Sequence, residues 1–113
     1  MIKIFREKIS EAQLRSFLGK PFEDMVKFVA DVRVCKIAMG GELHADAEEL
    51  MLKDGSKQED LWGGNVYPDS PKDERIRYTS MINIRPSQGQ RSMEIRDPKI
   101  IRSINGVLEK LLP

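Results

Sequence analysis

The sequence predicts a two-layer α+β domain: a mainly antiparallel sheet of about four strands with helices packed on one face, in the order β-α-α-β-α-β-β-α. Three observations predict it. Short stretches such as "VRVCKIAMG" and "RIRYTSMINIR" alternate apolar residues with period two, as strands do. Longer stretches, above all "PKIIRSINGVLEKLL", space their apolar residues by three and four, as amphipathic helices do. The 113 residues suit a single domain, 1–113. A chain of that length buries roughly 65% of its unfolded surface, enough for one core without disulfides.

"IKIF", residues 2–5, reads as a short first strand. In "ISEAQLRSFLG", Ser10 caps a helix, Gln13 completes a capping box, and Ile9 is placed to staple onto Leu14. Leu14, Phe17 and Leu18 form its buried stripe, and Gly19 stops it. Pro21 restarts a second helix over about 21–31, burying Phe22, Met25, Val26 and Val29. "VRVCKIAMG" gives a strand over about 33–39, with Cys35, Ile37 and Met39 on one face, broken by Gly40-Gly41. "DAEELMLKDG" is a short helix capped by Asp46, with Glu49 at the box position and Gly55 after its end.

"DLWGGNVYP", 60–68, is extended, and Gly63-Gly64 marks a bulge or a close approach of backbone or ligand. Trp62 reads as a core or sheet-face anchor. "RIRYTSMINIR", 75–85, is the clearest strand. It turns Ile76, Tyr78, Ser80, Ile82 and Ile84 to the core and Arg77, Thr79, Met81, Asn83 and Arg85 outward. Ile82 and Ile84 are expected beneath the last helix, against Ile104 and Leu108. That helix begins with Asp97 as cap and Pro98 in the first turn. The second sheet face is left polar and open, or pairs with another chain.

The blocks "GGELHAD", "GSKQEDLWG" and "INIRPSQG" resemble a family of small prokaryotic proteins catalogued only as a domain of unknown function. The resemblance covers nearly the whole chain. It implies one domain and brings no activity, cofactor or substrate with it.

Nineteen basic and eighteen acidic residues leave a formal net charge of +1. No global field attracts nucleic acid or an anionic membrane, and the basic residues are dispersed among acids with few aromatics for stacking. Nucleic acid is therefore the least favoured partner. The single cysteine, Cys35, excludes an internal disulfide and, in its apolar pattern, reads as a packed thiol. No apolar run is long enough for a leader or a membrane span, so a cytoplasmic protein is expected.

Glu42, His44 and Asp46 alternate in "GELHAD". On a strand the outer two lie ~13 Å apart, and on a helix His44 points away from the others. No metal site and no cofactor are expected. His44 is the sole histidine, and it is the one candidate for acid–base work, because imidazole titrates near neutral pH. No nucleophile–base pair or paired acid stands out, so binding is preferred to catalysis.

The segment "INIRPSQGQRS" concentrates two arginines, two glutamines and a glycine after a strand. Arginine grips carboxylate or phosphate with two parallel hydrogen bonds, and a glycine turn adds backbone N–H donors. The expected site is a small-anion pocket made by Asn83, Arg85, Ser87, Gln88 and Arg91, with Asn65 on the same sheet face. Arg85 and Arg91 would face one anion together. The bland reading ties Arg85 to a carboxylate such as Glu94 or Asp69. The alternative function is a non-catalytic interaction module that uses the open sheet face or an edge strand, with a protein partner or a second copy of the chain as a homodimer.

Overall fold

Eight regular elements form in the order β-α-β-β-α-β-β-α. They are β1 (Ile2–Phe5), α1 (Glu11–Arg15), β2 (Val26–Asp31), β3 (Lys36–Gly40), α2 (His44–Lys53), β4 (Leu61–Val66), β5 (Ile76–Arg77) and α3 (Pro98–Leu111). The structure is a computed structural model that describes residues 1–113. The sheet has five antiparallel strands in the order β1-β3-β2-β4-β5, one more than the sequence predicts.

The main correction concerns residues 21–31, expected as a helix and found to contain the central strand β2. Their apolar spacing fits a helix, but "VKFVAD" is a strand buried on both faces. Such a strand reads as a continuous apolar run, which spacing alone does not distinguish from a buried helix. Val26, Phe28 and Ala30 join the larger core, while Val29 joins the smaller cluster on the opposite face.

Helices accordingly lie on both faces and not on one. α1 and α3 cover the larger core, where Leu14, Ile104 and Leu108 meet Phe28, Ile37 and Met39. α2 covers the other face, packing Ala47 and Met51 on Val29, Ala38 and Leu61. The face expected to be open and polar is therefore partly closed by α2 and carries an apolar cluster of its own.

The end signals of the helices are the parts most directly written in the sequence. Ser10 Oγ accepts from Gln13 N and Gln13 Oε1 from Ser10 N, the reciprocal capping box. α1 nevertheless ends at Arg15, and Phe17 is buried from the turn that follows. α3 starts at Pro98 behind Asp97, whose side chain accepts from Lys99 N. α2 starts two residues before its expected cap: Asp46 lies in its first turn and Leu43 is the N-cap, without a capping side chain.

The β2–β3 connection is a turn in which Asp31 Oδ1 accepts from Arg33 N and Val34 N. Cys35 adopts a left-handed φ of 53° there, so it lies outside β3 and is only partly buried. Ile37 and Met39 share the face expected of them.

The 75–85 segment departs furthest. Only Ile76–Arg77 pairs as a strand; Met81–Asn83 and Pro86–Gln88 are 3-10 turns. The faces beyond Tyr78 are reversed in part. Asn83 is fully buried, Ile84 is 43% exposed, and Ile82 packs beside the α2 cluster rather than under α3. Ile104→Ala is therefore expected to cost ~2–5 kcal/mol in urea unfolding, as a core truncation does. Ile84→Ala should stay within ~0.5 kcal/mol, as an ordinary surface change. A large loss at Ile84 would restore the face read from the sequence.

Candidate functional site

The loop expected to bind an anion is engaged by the protein itself. Asn83 Oδ1 accepts from Gly63 N at 2.8 Å, and Asn83 Nδ2 donates to Gly63 O at 2.9 Å and to Met93 O at 3.2 Å. Arg85 is buried, with its guanidinium carbon 4.1 Å from the centroid of the Trp62 ring. It donates from Nε to Ile82 O, from Nη1 to Gln58 O and Gln88 Oε1, and from Nη2 to Leu61 O. Burial disfavours its charge, and the nearby carboxylate of Glu48 partly offsets that. Gln88 Nε2 donates to Glu59 O.

Together these side chains clamp residues 58–63. Ser87 and Arg91 are exposed, and neither side chain has a hydrogen bond or ion pair within the protein. Arg85 and Arg91 thus do not share an internal anion. The carboxylates read as Arg85 partners pair elsewhere: Glu94 with Arg96 and Asp69 with Arg15.

A different constellation assembles on the α2 face. Lys27 of β2 pairs across to Asn65 of β4, and Asn65 pairs across to Arg77 of β5. Cross-strand partners share a face, so the three form one transverse row. Adjacent strands lie ~4.8 Å apart, which places the two cationic residues ~10 Å from each other across the amide. Neither cation has a carboxylate within ion-pair distance. Lys27 is half-buried, its ammonium is 5.2 Å from the Phe22 ring centroid, and burial lowers its pKa. Asn65 is 9% exposed; its Oδ1 makes no hydrogen bond, its Nδ2 has Thr79 O at 3.5 Å, and its side chain sits close enough to His44 to favour the charged imidazole.

Two clefts meet at this row and share Asn65 and Thr79. One, of about 510 Å³, is polar and includes Tyr67, Glu74 and Arg77. The other, of about 470 Å³, is half apolar and includes Lys27, His44, Leu43, Met81 and Met93. The N-terminus of α2 forms a wall of the second cleft through Leu43, His44 and Ala45.

His44 opens α2, and its Nε2 lies 2.7 Å from the Gly64 carbonyl, so that nitrogen carries the proton and donates. Burial, reinforced by the charge of Lys27, pushes its pKa from the ordinary 6.5 to about 4. It is neutral at pH 7 and structurally engaged. Glu42 and Asp46 are exposed, and no group of three or more His, Cys, Asp or Glu side chains is arranged to hold a metal ion.

Of the residues picked out by sequence, only Asn65 and His44 border the clefts. Lys27, Arg77 and Thr79 were missed. The available signal was Lys27 itself, an isolated cation in the otherwise apolar "VKFV", which becomes conspicuous only once the segment is known to be a buried strand.

Fold and site define a small α+β domain with an antiparallel sheet covered on both faces and a polar cleft beside one helix terminus. No helix is long and apolar enough to cross a membrane. The chain belongs to the family described as "Protein of unknown function (DUF5674)", whose model matches residues 3–111. No curated protein and no solved structure matches the chain.

Two outcomes are expected from these contacts. Asn83→Ala strips the partner from Gly63 N–H and Gly63 C=O, while Met93 O keeps Ser80 N, and should cost about 2–6 kcal/mol at the usual 1–3 per group left unpaired. Arg91→Ala should change stability by less than ~0.5 kcal/mol. Equal stabilities of the two variants in urea would contradict the assigned roles.

His44 supplies a pH dependence. Its folded pKa lies below its unfolded one, so the unfolded state takes up the proton first. Stability is fully present above about 6.5 and is lost as pH falls toward about 4. The loss attributable to this group is about 2–4 kcal/mol. It is read as the difference between the wild type and His44→Gln between pH 7 and 4. Parallel pH profiles would exclude it.

Proposed function

We propose that this domain binds a small carboxylate- or phosphate-bearing molecule over the Lys27–Asn65–Arg77 row. The observation that carries the reading is the row itself: two cations without carboxylate partners on either side of a buried amide with one long hydrogen bond. A desolvated ammonium without a counterion is unfavourable, and an incoming anion relieves that cost. An anion is served by the Asn65 NH2 and not by its Oδ1, so binding requires the amide to turn and give up its long hydrogen bond to Thr79 O. The first-turn N–H groups of α2, uncapped by any side chain, add a favourable dipole end.

The Arg85–Arg91 loop is replaced as the anion site because the donors of Arg85 already serve main-chain carbonyls. Binding is preferred to catalysis, since the only imidazole near the row has its proton committed to Gly64 O. An interaction module is less well supported, because α2 occupies part of the sheet face it would use and leaves it the short edges of β1 and β5.

The test is a thermal-shift panel of carboxylates, sugar phosphates and nucleotides. A ligand at a hundredfold its Kd should stabilise the protein by about 2.7 kcal/mol. Lys27→Met and Arg77→Met should each abolish most of the shift, while Arg91→Ala should retain it. Full retention in both row variants, or silence across the whole panel, would reject the site.

A further inference from the structure

We infer that the anion this site takes is amphipathic: a carboxylate head over Asn65 with a hydrocarbon tail lying in the cleft beside Lys27. The inference rests on the anion-binding reading above and goes beyond it by naming the ligand class.

The two clefts that meet at Asn65 differ in character. The one on the Arg77 side is walled by polar groups such as Tyr67, Ser70 and Glu74. The one on the Lys27 side is rimmed by apolar side chains that the fold leaves in water: Met81 is 75% exposed, Leu43 57% and Met93 43%. Ile82 and Ala45 add to its apolar wall. Scattered single apolar residues on a surface need no explanation, but these three border one concavity and come from three different segments. Each has a local reason to be there. Leu43 is the N-cap of α2, where a capping Ser, Thr, Asp or Asn would be more usual. Met81 leads the 3-10 turn that replaces a strand. The Met93 carbonyl is held by Ser80 N and Asn83 Nδ2, which fixes its backbone beside the cleft.

Unbranched, polarisable methionines adapt to a flexible chain better than they specify a rigid one. The charge is also placed for a head group. Asn65 stands where the two clefts meet and Lys27 lines the apolar one beside it, so a head held over Asn65 by Lys27 directs its tail along the apolar rim. A cleft of about 470 Å³ is of the size that takes one small molecule. Its concavity suits a single free chain rather than the flat face of a bilayer.

Isothermal titration calorimetry of the full chain with butanoate, hexanoate and octanoate tests this. Each added methylene should tighten binding roughly two- to fourfold, the range for partial to full burial of a CH2 group. Lys27→Met should weaken all three acids by a similar factor. Met81→Ser with Met93→Ser, both at exposed positions that do not threaten folding, should flatten the dependence on chain length. Affinity independent of length would overturn the amphipathic class while leaving the anion site standing. Absence of binding by every acid would overturn both. An alkylamine series binding as tightly as the acids would also overturn the inference, as would capture of anionic phospholipid vesicles without binding of the free acids.

Discussion

Gly63 lies in the middle of β4, and its N–H and C=O are both held by a side chain, the Asn83 amide, instead of a neighbouring strand. Much of the far side of the sheet follows from that pair. β5 covers only Asn65 and Val66, so the remaining rungs of β4 need another partner. A side-chain amide has the donor and acceptor of a peptide group and continues the ladder by one rung. The donor-only guanidinium of Arg85 then takes the Leu61 carbonyl. With side chains doing the pairing, the backbone at 81–83 is released from strand geometry and turns as a 3-10 segment. Gly63 permits this closeness, because a Cβ there would lie 2.9 Å from Ser80 Cβ. Gly64 is constrained from the other side, where a Cβ would meet the Arg77 carbonyl at 2.6 Å.

The same contacts explain why parts of the fold were legible in the sequence and others were not. Local chemistry was legible: the Ser10–Gln13 box, the Asp97–Pro98 start of α3 and the close approach at Gly63-Gly64 all follow from neighbours in sequence. β2 was not, because burial on both faces erases the alternation that marks a strand. Nor was the interior position of Asn83. An asparagine among isoleucines reads as solvent-facing, and only its distant partner 20 residues away makes burial tolerable. Cys35 takes a left-handed turn without the glycine or asparagine that would announce one. The row of Lys27, Asn65 and Arg77 depends on two strand registers, and registers are properties of the assembled sheet.

The sheet divides its labour between its faces. The α1–α3 face carries the larger core, in which Phe28, Ile37 and Met39 are wholly buried. The α2 face carries a small cluster around Val29 and Met51, and past the start of α2 it gives way to the clefts. Desolvated polar groups collect where packing thins: Lys27, His44 and Asn65 all stand at that boundary. Their cost is carried by a core whose side chains point the other way.

The capping of β4 has a consequence for how copies of the protein meet one another. An unpaired strand edge is a template on which another chain can add, and the glycine-containing "LWGGNV" would be an inviting one. Asn83 and Arg85 occupy its donors and acceptors with groups that offer no backbone to a newcomer. Of the two edge strands, β5 is only two residues long, and β1 is four residues long and displays the exposed charge of Lys3. The arginine and asparagine that looked like a ligand grip thus close the part of β4 that β5 leaves bare, and a strand from another chain finds no free rung there.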